Sequence, residues 1–435
     1  MQETEPSRVR LRCLHDMLRF PYMSLVRTPR TFCFLACLSV LSACAGRAAP
    51  STLPVESQAS PVDMESLRVE ASLVEDGYQF DTYDAESLFR EGLRLMRAEQ
   101  CEQAVQFYDR VFAEFPDSRF ASAAVYNAGL CFRTLGATVD SVQRFETLLE
   151  SMPTSEDRKH ASFMLAELYL RQDRWEESLT VAGGLLARQD LSPDEHVEAL
   201  SRRAQALLGA ERLEEARETA RNTLRFVRRQ ESSDSEAVLG QYFPAAANYV
   251  LAETMRLEAE AIDVPEASLQ TQRDRLESRA QLILNAQREY FNTMRYHQPE
   301  WSAVAGYRVG GMYDSLWDAI MTAPVPAPED MELVGADLAL YQGTYRERLK
   351  ALVKPLLRHS IRYWELTLLM IERTGVESEW TQQIRSDLER VRELLTEQPG
   401  ESSPDTAATQ PRDAVEAEPS TSQTTPPPTA PATAE

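Results

Sequence analysis

Histidine and cysteine are among the residue types in this sequence that could serve as general bases, nucleophiles or metal ligands. The histidines after residue 44 are far apart, and none has His-Glu-x-x-His spacing or a cluster of cysteines and acids beside it. They are His160, His196, His297 and His359. Val309-Gly310-Gly311 lies inside a helical pattern with no strand before it, which argues against a phosphate-binding loop. The sequence therefore predicts a protein that is not an enzyme and uses no metal or cofactor.

Cys101 and Cys131 follow an N-terminal segment that carries the other four cysteines. We expect Cys101 to open the second helix of one helical hairpin and Cys131 to lie late in the first helix of the next. Those two helix ends are neighbours when hairpins stack, so a disulfide would fit the geometry. Export to an oxidising compartment would favour the bridge, whereas small thiols are also common as buried packing residues. The sequence leaves both the disulfide and the free thiols open.

The N-terminal region carries an export signal. From Met23, arginines at positions 27 and 30 precede an apolar run from Phe32 to Leu41, which small residues follow. The run is about half the roughly 20 residues that a membrane-spanning helix needs, which favours a cleaved leader over a permanent transmembrane segment. Residues 1–22 precede an already complete leader (23–43), so Met23 is an alternative start to Met1.

The sequence Leu41-Ser42-Ala43-Cys44 resembles the lipobox of bacterial lipoproteins. The resemblance implies cleavage between Ala43 and Cys44, lipid on the Cys44 sulfur and acylation of the new amine. Several acyl chains would hold the protein permanently, because one chain gives only transient attachment. Ala45 in place of aspartate resembles lipoproteins sent to the outer membrane, so we expect an outer-membrane anchor facing the periplasm. Residues 44–82, rich in Ala, Pro, Ser and acids, are predicted to form a flexible tether.

The charge balance restricts the partners. The formal net charge is -22, and the only lysines are Lys159, Lys350 and Lys354. Removing residues 1–43 takes away six arginines and three acids, so the processed chain has 40 basic and 65 acidic residues and a charge of -25. Such a surface is repelled by nucleic acids, which we exclude as partners, and we interpret it as a solvated surface.

Two consecutive segments between Leu88 and Pro153 carry matching residues at an offset of 37. The offset is typical of an internal repeat of helical hairpins. The matched pairs are Gly92 and Gly129, Ala104 and Ser141, Tyr108 and Phe145, and Pro116 and Pro153. Further copies continue these positions with Ala166 and Ala204, and with Ser178 and Ala216. Large residues three positions after the first small residue are predicted to fill each hairpin, namely Leu95, Phe132, Tyr169 and Leu207.

These residues resemble a tetratricopeptide repeat, most closely in the first two copies. The resemblance implies an all-α fold, a right-handed α-solenoid of helical hairpins. Four repeats are predicted over residues 83–232, followed by longer, irregular helical repeats and a cap over 240–398. The Pro-, Thr- and Ala-rich residues 399–435 are predicted to be a disordered tail.

In such a solenoid the first helices line a concave groove. Their inward positions, counted from Ala85, Ser122 and Lys159, predict a partner-binding surface of aromatic, aliphatic and basic residues: Phe89, Leu93, Met96, Tyr126, Leu130, Arg133, His160, Phe163 and Leu170. Aromatic, methionine and arginine side chains are enriched in the centres of protein interfaces. The alternative is that these aromatic residues pack against neighbouring helices as part of the core.

The expected function is therefore a non-enzymatic, lipid-anchored scaffold that binds other envelope proteins. By resemblance, lipoproteins with such repeats serve in trans-envelope gliding machinery, which the whole arrangement resembles most, or in outer-membrane protein assembly and secretion. An envelope hydrolase acting on peptidoglycan is a rival function, but no unassigned globular stretch remains for its catalytic domain. A passive periplasmic spacer is a second rival.

Overall fold

A computed structural model describes residues 66–74, 77–232, 240–326, 334–376 and 380–396. The predicted leader, Ala43, Cys44 and the tail from residue 399 lie outside the described residues. Cleavage, lipidation and tail disorder therefore stay predictions.

The last part of the predicted tether is a β-hairpin, so the prediction of a flexible segment is wrong there. Strand β1 (Leu67–Val74) pairs antiparallel with β2 (Gly77–Asp84), in a register that sets Leu67 opposite Asp84 and Val74 opposite Gly77. Apolar and polar residues alternate in both strands, and the sequence has an Asp-Gly dipeptide between the two alternating runs, which is a hairpin signal. The overall composition, on which the tether prediction rested, hides this alternation.

Within the described residues, helices make up almost all of the rest of the structure. The helices are α1 (Ala85–Arg97), α2 (Cys101–Glu114), α3 (Ala121–Thr134), α4 (Thr138–Ser151), α5 (Arg158–Arg171), α6 (Trp175–Leu186), α7 (Pro193–Gly209), α8 (Leu213–Ser232), α9 (Tyr242–Glu260), α10 (Leu269–Met294), α11 (Pro299–Thr322), α12 (Ala336–Thr374) and α13 (Trp380–Thr396). The predicted all-α fold class is confirmed.

The helices stack as hairpins, α1 with α2, α3 with α4, and so on to α11 with α12. Each hairpin also packs on the next, and α13 adds Trp380 and Ile384 to the last apolar cluster. Helix α1 contacts α3, and α5, α7, α9 and α11 contact one another in series. Because the first helices approach each other more closely than the second helices do, they form the inner side of the curve.

The matched small residues lie where the two helices of a hairpin touch. A Cβ atom on Gly92 would lie 2.7 Å from the Tyr108 ring, and one on Gly129 would lie 2.8 Å from the Phe145 ring. Both rings are completely buried. The Ser141 hydroxyl donates a hydrogen bond of 2.8 Å to the Gly129 carbonyl oxygen, so it satisfies its polar group inside the core.

Later copies preserve this arrangement with other residues. The Ser178 hydroxyl donates to the Ala166 carbonyl oxygen at 3.0 Å, as Ser141 does one repeat earlier. Most of the remaining predicted packing residues are also buried, namely Ala104, Tyr169, Ala204 and Ala216. Phe132 is half-buried against the first apolar cluster, and Pro116 and Pro153 are exposed between hairpins.

Each of the first four hairpins turns through one residue with a left-handed backbone. These residues are Glu99, Gly136, Asp173 and Glu211, with φ between 58° and 75°, and they follow the same spacing of 37, 37 and 38. Only Gly136 is the glycine that such a turn favours. In the fourth copy, Gly209 ends α7 against Trp175, where a Cβ would lie 2.6 Å from the indole, and the turn residue Glu211 follows two positions later.

None of the described helices is both long enough and apolar enough to cross a membrane.

Candidate functional site on the concave face

The inner positions of α1 and α3 form a half-exposed surface, which we call the N-terminal groove. It consists of Phe89, Leu93, Met96, Tyr126, Leu130 and Arg133, all partly buried, together with the exposed His160 at the start of α5. Its composition is apolar and aromatic with one basic edge. Side chains of this kind contribute most to the affinity of protein interfaces.

The aromatic rings of the groove rest on the hairpin cores. The Phe89 ring stacks on Phe120 with centroids 5.3 Å apart and tilts against Tyr108 at 5.8 Å. The Tyr126 ring lies 5.5 Å from Phe145 and meets the His160 ring edge-on at 6.5 Å. Each ring is therefore held in place by buried neighbours while keeping an accessible edge. These aromatic residues contribute both to the packing and to the surface, and partner binding at this surface stays a prediction.

The third repeat does not continue this surface. Phe163 is 4% exposed and packs with Leu185 of α6 and Ala199 of α7, and Leu170 is completely buried. The prediction that these two residues face a groove is wrong. Helix α5 contacts α4, α6 and α7, which enclose its second half, so every residue from 165 to 170 is buried.

A buried ionic cluster crosses the concave face just beyond the groove. Glu167 of α5 lies 3.2 Å from Arg202 of α7, 2.7 Å from Arg171 and 3.8 Å from Arg133 of α3. Arg202 also pairs with Glu198 at 2.7 Å. Burial raises the pKa of Glu167, but the guanidinium groups of Arg202, Arg171 and Arg133 outweigh it and lower that pKa. The cluster joins three first helices and closes the apolar groove on one side.

A second buried cluster lies between α9, α10 and α11. The Glu253 carboxylate, 1% exposed, accepts hydrogen bonds from the hydroxyls of Tyr249 and Tyr290 and pairs with Arg256 at 2.7 Å and Arg308 at 3.1 Å. Burial raises its pKa, yet the charges of Arg256 and Arg308 prevail and lower it to about 2. Tyr249, Glu253 and Arg256 are close together on α9, but Tyr290 and Arg308 come from α10 and α11, so the spacing of residues in the sequence does not reveal the cluster. Complete pairing indicates a structural role.

The other histidines do not form a site. His196 packs on Phe226 with ring centroids 4.7 Å apart, and burial lowers its pKa. His359 stacks on Tyr313 at 5.2 Å, and His297 follows the end of α10 with a φ of 52°. In the part of the chain that the structure describes, no group of His, Cys, Asp and Glu side chains could hold a metal ion.

Cys101 and Cys131 lie in the same apolar cluster as free, buried thiols. Burial and the neighbouring Cys101 thiol raise the pKa of Cys131 well above its usual range. Since both thiols are buried and cannot be reached by a reagent, we expect neither to be modified by a maleimide dye in the native protein. A chain expressed from residue 45, which has no other cysteines, should then bind dye at both positions after denaturation without reductant. Labelling that appears only after reduction would show that the disulfide exists.

Comparisons with known proteins identify part of the solenoid. The family model described as tetratricopeptide repeat matches residues 163–232, from α5 to the end of α8. This segment is therefore similar in sequence to tetratricopeptide repeats. The match covers the third and fourth copies, although the sequence pattern placed the strongest likeness in the first two. The repeat is therefore recognisable by its small residues even in copies without the aromatic residue and the closing proline of the first two copies. These small residues are Ala166, Ser178, Ala204 and Ala216.

Solved structures of similar proteins have low identity. A tetratricopeptide repeat protein from Parabacteroides merdae is 13% identical, with 71% of this chain and 98% of that chain covered and a TM-score of 0.36. MamA from Desulfovibrio magneticus RS-1 is 16% identical, with coverage of 47% and 95% and a TM-score of 0.31. PilF from Pseudomonas aeruginosa is 15% identical, with coverage of 53% and 92% and a TM-score of 0.31. No curated protein matches the sequence.

Proposed function

We propose that this protein is a non-enzymatic scaffold that holds an apolar segment of a partner protein in the N-terminal groove. The observation that carries the proposal is the change along the concave face. Inner positions are partly exposed and mostly apolar on α1 and α3, whereas most of the corresponding positions on α5 and α7 are buried, as at Leu170 and Leu208. The concave face is accessible in the first two hairpins and is filled by packed side chains in the next two. The accessible part is therefore the surface that we propose for binding.

The groove favours a partner segment with large apolar side chains. Phe89 and Tyr126 present ring edges on rigid supports, so little side-chain entropy is lost when a partner packs on them. Arg133 is 26% exposed and already faces Glu167, so it is a weaker anchor for an acidic group than the sequence suggested. Charge reversal at Arg133 would disturb the ionic cluster as well as the groove. Tyr126 and Leu130 are better positions to test.

Site-specific photocrosslinking in cells tests the groove. We expect a benzophenone amino acid at position 126 to capture one reproducible partner protein. The matched control places the same amino acid at Val139 on α4, a second helix, where the native side chain is 75% exposed. Capture of the same proteins from both positions, or of none from position 126, would contradict the proposal and favour a passive spacer.

We also propose that lipid on Cys44 holds the scaffold on the outer membrane, facing the periplasm. The support is the sequence alone, the Leu41-Ser42-Ala43-Cys44 motif after an apolar leader. With Cys44→Ser, we expect the protein to leave the outer-membrane fraction, because that residue carries the acyl chains. The measurement is fractionation followed by detection of the chain. A variant that stays in the outer-membrane fraction would refute the anchor.

Within the envelope, a trans-envelope motility machine is the assembly we propose, and outer-membrane protein assembly or secretion is the second candidate. Both rest on the resemblance of a lipobox followed by helical repeats. The identity of the crosslinked partner separates them. No observation on the described residues favours a peptidoglycan hydrolase.

A further inference from the structure

The β-hairpin has one apolar face and one polar face. Cross-strand partners share a face, so β1 and β2 each contribute alternate residues to both. The apolar face consists of Leu67, Val69, Ala71 and Leu73 with Tyr78, Phe80 and Thr82, and it ends at Asp84, whose side chain caps α1. Five of these are large apolar side chains, and they are 60% to 77% exposed.

The solenoid contacts the hairpin through its other face. The Tyr83 hydroxyl donates to the Glu114 carboxylate at 2.7 Å, and Arg68 donates to the Glu114 carbonyl oxygen at 3.2 Å. The Tyr83 ring also meets Phe115 edge-on at 6.2 Å, and the Arg110 guanidinium lies 4.5 Å from the centre of the Tyr83 ring. The hairpin is thereby fixed to α2 with its apolar face directed away from the solenoid.

An apolar hairpin face that is this exposed is unusual on a soluble protein. A two-stranded ribbon is marginal in water unless further strands or a helix cover its apolar side. Each aromatic side chain alone presents about 150–250 Å² when exposed, so Tyr78, Phe80 and the three aliphatic residues form a patch of several hundred Å². Patches of that size on soluble proteins mark interaction sites.

The charges around the patch select the occupant. Residues 67–84 contain five acids and one arginine, and Glu70 lies directly opposite Asp81 on the polar face. Like charges in that position destabilise a hairpin until a cation neutralises them. A second copy of this chain would add five more acids, and an anionic bilayer would repel the ribbon. Residues 45–65 and 397–435 contain one arginine each and no lysine, so they are unsuitable too.

We propose that the apolar face of the hairpin binds a basic amphipathic helix of a partner protein. A two-stranded ribbon and a helix are both about 10 Å wide, so lysines and arginines flanking the apolar stripe can reach past the ribbon edges. There they are attracted by the acidic residues of the ribbon, which include Glu70 and Asp81 on its polar face. The eight-residue strands are about 27 Å long, which matches a helix of about 18 residues. This surface is separate from the N-terminal groove.

Two synthetic helical peptides test the proposal. Both have the same leucine stripe, and the flanking residues are lysine in one and glutamate in the other. Fluorescence anisotropy with the full processed chain should show that the lysine peptide binds and that salt weakens its binding. The affinity of the glutamate peptide should be lower than that of the lysine peptide by about tenfold or more. Phe80→Ser should reduce lysine-peptide affinity about tenfold, whereas Gln79→Ser on the opposite face should not.

A charge variant separates loss of binding from loss of the hairpin. Glu70→Gln relieves the repulsion with Asp81, so it favours the folded hairpin. The same change should nevertheless lower the affinity for the lysine peptide severalfold. Tyr126→Ala in the groove should leave this affinity unchanged. Equal binding of both peptides, or affinity unaffected by Phe80→Ser, would overturn the proposal. So would concentration-dependent dimerisation abolished by Phe80→Ser, or binding of the chain to zwitterionic lipid vesicles through that residue.

Discussion

Gly129→Val is expected to destabilise the solenoid by about 3 kcal/mol, although most glycine replacements inside helices are favourable. The reason is the 2.8 Å separation between an added Cβ and the ring of Phe145, which is completely buried and cannot move aside. The valine methyl groups would extend further into the same ring. Urea unfolding followed by circular dichroism measures the loss.

Gly183→Ala provides the matched control, since this helical glycine has nothing within 4 Å of the added Cβ. It should stabilise the protein by about 0.5–1 kcal/mol. Phe145→Leu should remove part of the penalty of Gly129→Val, because the smaller side chain vacates the contested space. If Gly129→Val and Gly183→Ala have effects of the same sign, the close helix contact is not what fixes glycine in the repeat.

Glu253→Gln is expected to destabilise the C-terminal hairpins by about 3–5 kcal/mol. The change removes one of the two carboxylates that pair with Arg256 and the carboxylate beside the buried Arg308, while Tyr249 and Tyr290 lose a charged acceptor. Thermal unfolding gives the size of the effect. Glu365→Gln is the control, since that carboxylate is 51% exposed in its pair with Arg392 and should change stability by less than about 1 kcal/mol.

The effect of Glu253→Gln should also depend on pH. The pKa of Glu253 is about 2 in the folded protein and 4.5 for the free side chain, so its ionised form favours folding. That stabilisation is complete above about pH 4.5 and is lost as the pH falls through 2. The stability difference between wild type and Glu253→Gln should therefore shrink from about pH 5 towards pH 2. A difference independent of pH would show that the carboxylate charge is not responsible.

The repeat spacing predicted the hairpins because each copy must bury a small residue against a large one at the same place. The pairs Gly92 with Tyr108 and Gly129 with Phe145 show this. They have the repeat spacing in the sequence, and they contact each other in the core. The long helices after residue 240 were also predictable, since prolines and turn residues bound them. The β-hairpin was missed for a correctable reason, because alternation in residues 67–74 and 77–84 is visible once strands are considered.

The limits of the groove were not predictable in the same way. Phe163 and Leu170 occupy the same repeat positions as the partly exposed groove residues, and their burial depends on how tightly α5 packs with α6 and α7. Helix phase within one repeat does not determine that packing. The charge clusters around Glu167 and Glu253 join residues from different hairpins, so they appear only when the solenoid is assembled.

The most direct measurement uses the partner segment that is captured at position 126. Calorimetry gives the affinity of this segment for the purified wild-type protein and for the Leu130→Ser variant. Leu130 is a partly exposed groove residue, so the variant should melt near the wild-type temperature. We expect at least about tenfold weaker binding, equivalent to about 1.4 kcal/mol. Unchanged affinity in a folded Leu130→Ser variant would contradict the assignment of the N-terminal groove as the binding site.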